Sequence, residues 1–412
     1  MAPKVVERKG THLLHGDDHL RRGEDVASAI SVSTTFLSLL PTEGSPNATD
    51  YRNPARHVYS RYTTQNSTRV EHILSQITDG FALTYSSGLA ASYSALVFFK
   101  PKRIAITEGY HGAHAMIEVY RKVAPDVKII QLDDEFQSGD LCWLETPLNP
   151  TGESRDIQYY ADKVHKVGGK LIVDSTFAPP PLQYPFKHGA DCILHSGSVV
   201  DLIGLSVRLM PFVATKYFGG HSDMLSGVLV VRTKEEWDIL QSDRTYMGNS
   251  MGSLESWLLL RSLRTFHLRL PRQSETASAL VEWLQKVALT PAGQSFEGIP
   301  GGVLTKVWHS SLQGKDARGF DPSTQMTGGW NATFSIQVSK PQYAAWFPHS
   351  LKYFTPATSL GGVESLVEYR ASWDPTSDPR AVRISVGVED LEDLKADIRQ
   401  ALKHLVKEES KL

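Results

Sequence analysis

Two cysteines, Cys142 and Cys192, are all that a chain of 412 residues carries, and each sits inside an apolar, strand-like run. That scarcity excludes a disulfide framework and a cysteine-built zinc site, and it leaves two buried, reduced thiols. An excess of either charge is also missing. The formal net charge is -2, which offers no electrostatic footprint for nucleic acid or an anionic membrane. No apolar run approaches the roughly 18 residues that a membrane span needs, and the first ten residues are polar and basic rather than signal-like. An intracellular protein is expected. Internal repeats and low-complexity segments are absent too. What is present is an ordinary soluble enzyme profile, 41% hydrophobic and 21% charged, with length enough for two or three domains.

Along the chain, residues 1–58 read as an irregular N-terminal arm, rich in Pro, Gly, Ser, Thr and Asn around Pro41 to Pro54. His12, His15, Asp17, Asp18 and His19 lie in this arm at spacings that match no metal motif, so they are expected to be solvated. From about residue 80 short apolar runs take over: Phe81 to Tyr85, Arg103 to Thr107, Val127 to Leu132, Leu141 to Glu145, Lys170 to Asp174 and Asp191 to His195. Helical segments such as Leu89 to Phe99 and Asp156 to Val167 separate several of them. Strands alternating with helices predict an α/β layer with a mostly parallel sheet. After Val228 to Arg232 the pattern is helical from about Leu254 through Val287. A second region then carries strands near Val303 to Trp308, Thr333 to Val338 and Val382 to Val386. It closes on a helix with Leu391, Leu394, Ile398, Leu402 and Leu405 on one face. The expected divisions are the arm, a domain over 59–267 and a C-terminal domain over 268–412.

Several stretches are suited to chemistry. Lys216, behind Ala214-Thr215 and ahead of Tyr217-Phe218-Gly219-Gly220-His221-Ser222-Asp223, reads as a Schiff-base lysine. Burial would lower its pKa, and a neutral amine attacks an aldehyde and later carries protons; a lysine capping a surface strand is the bland alternative. Ser87-Gly88-Leu89 stands at a strand-to-helix turn, where backbone N–H groups and a hydroxyl suit a phosphate. Tyr59 and Arg61 form a second anion candidate, with a loop salt bridge as the alternative. Tyr110 follows a strand, where its ring would stack on a flat cofactor or its phenol relay a proton. Asn149, held between Pro147 and Pro150, suits a hydrogen bond to a ring oxygen. Asp174 ends an apolar strand, and a buried carboxylate needs a cationic partner such as a protonated pyridine nitrogen.

Together, Tyr59 to Arg61, Ser87-Gly88, Tyr110, Glu145 to Pro150, Asp174-Ser175-Thr176-Phe177, the Lys216 segment and Ser359-Leu360-Gly361-Gly362 resemble the Cys/Met metabolism family of pyridoxal-phosphate enzymes. That family includes cystathionine γ-synthase, γ-lyase and β-lyase and methionine γ-lyase; the resemblance runs from about residue 10 to 405. It implies an aspartate-aminotransferase type fold (fold type I), with a large domain on a mostly parallel seven-stranded sheet and a smaller C-terminal α/β domain. Pyridoxal 5'-phosphate is the implied cofactor, and a homotetramer built from dimers the implied assembly. Lys216 would form the internal aldimine, Asp174 pair with the pyridine nitrogen, and Tyr110 stack on the ring. Ser87, Gly88, Leu89, Ser196 and Thr215 would lie around the phosphate, and Thr176 belongs to the cofactor-side motif. Tyr59 and Arg61 would reach the neighbouring subunit's site. Arg383 would grip the substrate α-carboxylate, supported by Asn149, with Ser359 beside it. The implied activity is trans-sulfuration on a sulfur amino acid, of γ-synthase or γ-lyase type. The alternatives are a cystathionine β-lyase, or a catalytically impaired member that merely assembles with active relatives.

Two features depart from that pattern. Between His195-Ser196 and Ala214-Thr215-Lys216 lie 17 further residues, 197–213, of which ten are Val, Leu, Ile, Met or Phe. Such a composition is wrong for a surface loop. It is read either as a translated intron of about 51 nucleotides, a length that keeps the frame, or as a natural loop that buckles out. Thr358 replaces the glutamate that many γ-acting members carry before Ser-Leu-Gly-Gly. Finally, the chain ends in Ser410-Lys411-Leu412, the tripeptide read by the peroxisomal import receptor, so the peroxisomal matrix or the cytoplasm is expected.

Overall fold

The computed structural model describes residues 9–37, 56–195, 216–372, 374 and 377–409. Ser196, Thr215, the 197–213 insert and the terminal tripeptide lie outside the described residues. In chain order the first half comprises α1 (Lys9–His15), α2 (Gln65–Thr78), β1 (Phe81–Tyr85), α3 (Gly88–Phe99), β2 (Arg103–Ala105), α4 (His111–Arg121), β3 (Lys128–Ile130), β4 (Asp140–Glu145), α5 (Ile157–His165), β5 (Lys170–Asp174), β6 (Cys192–His195) and β7 (Gly227–Val231). Then follow α6 (Lys234–Met247), α7 (Ser253–Leu263), α8 (Phe266–Ala288), a small hairpin of β8 (Ser295–Phe296) and β9 (Ile299–Pro300), β10 (Leu304–Trp308), β11 (Thr333–Val338), α9 (Pro341–Ser350), β12 (Thr355–Pro356), β13 (Leu366–Tyr369), β14 (Ala381–Ser385) and α10 (Leu391–Glu409).

The apolar runs become strands because helices cover both faces of the sheet, so every residue of β4 and β7 is buried. Seven strands take the order β1-β7-β6-β5-β4-β2-β3. All are parallel except β7, which runs antiparallel to β1 and β6. This is the mostly parallel sheet expected. Its register lines up the strand ends: Glu145 is opposite Asp174, Asp174 opposite Leu194, and His195 opposite Val228. Strand ends of a parallel sheet are where ligands bind, because the connecting loops converge there. A second sheet of five strands, in the order β10-β11-β14-β13-β12, carries the C-terminal part. One apolar core runs through both, from Val70 and Ile73 on α2 to Phe334 on β11 and Leu394 on α10. Cys142 and Cys192 are free and buried within the first sheet.

One expectation changes. The N-terminal arm is not irregular and solvated throughout: α1 packs on α2 and α8. Asp17 is fully buried, 2.6 Å from Arg69 and 2.8 Å from Arg264. Two guanidinium groups offset its desolvation and hold it ionised, with the Arg264 contacts the larger in opposing burial. The helical stretch expected from Leu254 to Val287 is present, divided between α7 and α8. Arg269 of α8 takes the Ser262 carbonyl at 3.0 Å, supplying a partner where α7 ends and the intrahelical ladder stops.

Candidate active site

Lys216 immediately precedes the Tyr217 to Gly220 turn, and its ammonium position is deeply buried. Burial, then the positive charge of Arg383, lowers its pKa to about 7, against an opposing pull from Glu368. Its Nζ lies 3.4 Å from Ser359 Oγ. The backbone beside it is clamped from two sides. Arg269 donates to the carbonyls of Tyr217 and Phe218 at 2.9 and 3.1 Å. Gly361, at φ 74°, packs so close that a Cβ there would sit 2.8 Å from Tyr217 N and 3.0 Å from the Lys216 carbonyl carbon. Only glycine fits that position without strain.

Lys216 shares a cavity with Tyr110, Glu145, Asn149, Asp174, Thr176, Phe177, Arg370 and Arg383. Asp174 stands at the end of β5, and both hydrogen bonds from Thr176, at 2.5 and 3.0 Å, fall on its Oδ1. Burial raises its pKa and the Thr176 bonds oppose that rise. Beside it, Glu145 is raised by burial and then by the Asp174 charge. The Glu145 carboxylate accepts from Tyr110 N at 2.7 Å and from Asn149 N at 2.8 Å. It thereby ties the loops after β2 and β4 together. Gly109, at φ 113°, permits this approach, since a Cβ there would strike Glu145. Asn149 Oδ1 in turn accepts from Arg383 Nη1 at 3.1 Å, and Arg383 Nη2 donates to the Thr358 and Ser359 carbonyls at 2.5 and 3.1 Å.

The other residues singled out from the sequence lie elsewhere. Ser87 caps α3, its Oγ accepting from Ala90 N at 3.0 Å. The first amides of α3, those of Gly88 and Leu89, have no acceptor within the helix and stay available to an anion. They stand at the same end of the sheet as Asp174, since Tyr85 is opposite Gly227. Tyr59 is exposed, and Arg61 donates to the Thr245 carbonyl at 3.0 Å; neither lines the cavity around Lys216. Sequence reasoning missed Arg269, Glu368 and Arg370, and it quoted Glu145 without giving it a role.

Chemically, the cavity combines an amine that can take up and release a proton near neutral pH, a buried acid pair and a guanidinium. That set serves proton transfer at a carbon held between a cation-binding carboxylate and a carboxylate-binding cation. The sequence pattern of the Cys/Met metabolism PLP-dependent enzymes matches residues 10–403, and the chain belongs to that family. It is 30% identical to the cystathionine γ-lyase of Saccharomyces cerevisiae, over 98% of this chain and 99% of that protein. It is 28% identical to a cystathionine β-lyase of Lactococcus lactis, over 85% and 89%. The solved structure of CalE6 from Micromonospora echinospora, a cystathionine γ-lyase, superposes with a TM-score of 0.78 at 29% identity, covering 97% of this chain and all of that one. As a member of the family the chain is a pyridoxal-phosphate-dependent enzyme of sulfur amino-acid metabolism.

Proposed function

We propose that this chain cleaves or exchanges the γ-substituent of a sulfur amino acid, as a cystathionine γ-lyase or γ-synthase does, with Lys216 as its catalytic base. The observation that carries the reading is the buried amine of Lys216, lowered to about 7, facing Asp174 and Arg383 across one cavity. The residues fit pyridoxal phosphate. Asp174 uses Oδ1 for both Thr176 bonds, which leaves Oδ2 for a ring N–H among the described residues, the Tyr110 ring lines the wall, and the amides at the start of α3 suit the phosphate. When bound, that group withdraws electrons from the substrate Cα and acidifies its proton.

The chain's own residues supply the rest. Arg383, held in place by Asn149, Thr358 and Ser359, takes the substrate α-carboxylate in a two-pronged pair. Lys216 Nζ accepts the Cα proton, a second proton is then lost from Cβ so that the γ-substituent can depart, and the lysine, having a pKa near neutrality, can return a proton to the departing sulfur. Phe177 and Leu360 line the same space and keep water from it. Tyr59 and Arg61, away from their own cavity, are assigned to the site of an adjacent copy within a homotetramer, so an isolated monomer would be inactive. No helix among the described residues is long and apolar enough to cross a membrane.

The test is product analysis with cystathionine after loading with pyridoxal phosphate, on the full chain and on one lacking residues 197–213. Cysteine with 2-oxobutyrate supports the γ-lyase; homocysteine with pyruvate makes it a β-lyase. Turnover only with an activated homoserine and cysteine makes it a γ-synthase. Borohydride labelling that spares Lys216 would overturn the assignment.

A further inference from the structure

Arg383 has a carboxylate beside it before any substrate arrives. Its Nη2 lies 2.5 Å from Oε2 of Glu368, and the other oxygen, Oε1, accepts from Nη1 of Arg370 at 3.2 Å. The three side chains are almost fully buried. Arg370 and Arg383 both line the cavity. Asp374 is the other acid near Arg370, at a looser 3.7 Å, and its side chain is 23% exposed.

In the reading proposed above, on which this inference rests, Arg383 receives the substrate α-carboxylate. A lone Glu368 against Arg383 would work against that role. It would neutralise the guanidinium and compete with the incoming carboxylate for the same donors. A buried carboxylate also cannot simply let go, because an unpaired charge in the interior costs several kcal/mol. Arg370 changes both conditions. Within the buried triad two guanidiniums share one carboxylate, the Asp374 charge being looser and partly exposed, and Glu368 keeps a partner when Arg383 turns to a ligand. Arg370 Nε has no hydrogen-bond partner among the described residues, so this guanidinium has a donor to spare for a closer hold on Glu368.

We propose that Arg370 is a positioning residue that holds Glu368, so that Arg383 keeps its positive charge for the α-carboxylate of the substrate. The residue acts through Glu368 and touches neither the reacting carbon nor the leaving group. The arrangement selects for amino acids with a free α-carboxylate over their amides and esters, and its strength is set by the balance between the two arginines.

The probe is L-alanine, which carries the α-carboxylate but no group to eliminate, titrated into the pyridoxal-phosphate-loaded protein and followed by the change in visible absorbance. Arg370→Met should weaken alanine binding about tenfold or more, the scale for truncating one partner of a buried charge pair. With the true substrate, KM should rise by a larger factor than kcat falls. Adding Glu368→Gln to Arg370→Met removes the competitor and should restore most of the affinity, a rescue that a purely structural role would not give. Glu368→Gln alone should bind alanine more tightly than the parent, and this arm stands even where Arg370→Met does not fold. An Arg370→Met protein with parental alanine affinity, a double variant no better than the single one, or a weaker-binding Glu368→Gln would each overturn the proposal while leaving the assigned chemistry standing. A parent chain that takes up no pyridoxal phosphate would overturn both.

Discussion

Arg269 is the side chain on which the placement of Lys216 depends most, and replacing it with methionine measures that dependence. Its guanidinium donates to the carbonyls of Tyr217, Phe218 and Ser262 and to Thr265 Oγ1. Burial lowers its pKa to about 10, so the fold sustains a desolvation cost to keep it there. Methionine fills much of the volume but leaves the carbonyls of Tyr217 and Phe218 without donors, whereas the Ser262 carbonyl keeps Thr265 N and Oγ1. Each buried acceptor left unpaired costs about 1–3 kcal/mol. For two carbonyls the sum is about 2–6 kcal/mol, and the relieved desolvation of the guanidinium trims it to at most about 3 kcal/mol of local destabilisation. The Gly220 amide, which donates to the Lys216 carbonyl at 2.8 Å, is the natural reporter. A loss of about 3 kcal/mol in the free energy of local opening speeds its hydrogen exchange roughly a hundredfold. Mass spectrometry of a peptide spanning residues 216–221 would read this directly, with a peptide from β4 as the internal control. Exchange unchanged within about threefold would show that the clamp is not what holds this turn, and the reasoning would fail.

Two more outcomes follow from the same segment. In the cofactor-free chain Lys216 holds its proton only below about pH 7, whereas the unfolded chain holds it to about pH 10. Between those values the unfolded state carries the extra proton, so stability rises with pH; below pH 7 the full penalty of a buried charge stands. Lys216→Met should accordingly melt above the parent at pH 6 in scanning fluorimetry, by a margin that shrinks toward pH 10, and equal melting points at pH 6 would contradict the burial argument. Gly361→Ala forces a Cβ to within 2.8 Å of Tyr217 N at a φ that costs about 1 kcal/mol for a non-glycine residue. Pyridoxal-phosphate affinity by equilibrium dialysis should drop at least tenfold while the melting point shifts by a few degrees; unaltered affinity would mean that the lysine tolerates the displacement.

How far the chain could be read in advance depended on whether a residue's partners lie near it in sequence. Strands buried on both faces announce themselves as apolar runs, so β1, β4, β5 and β11 fall where the runs of Phe81, Leu141, Lys170 and Thr333 put them. Lys216, Asp174, Tyr110, Asn149 and Arg383 sit in short segments whose composition already suggests chemistry, and the fold gathers them around one cavity. Arg269 carries no such signal. An arginine on an amphipathic helix reads as solvated until the chain folds and sets it against carbonyls 51 and 52 positions away. Glu368, on a short strand, and Arg370, just past its end, are a similar case, ordinary charges until β14 pairs with β13 and brings Arg383 opposite Glu368. Asp17 misled for the opposite reason. Among four other polar titratable residues it looked wet, and only its distant arginines make it a core residue.

That last contact has a bearing on how the protein is made. Asp17 leaves the ribosome early, but Arg264, which completes its cage, is 247 residues downstream. Until about two thirds of the chain has been synthesised, the first helix has only α2 and Arg69 to hold it, and the cage around Asp17 stays incomplete. During that interval the leading end stays open to chaperones and proteases, and any fusion placed ahead of it would have to accommodate a latch that closes late.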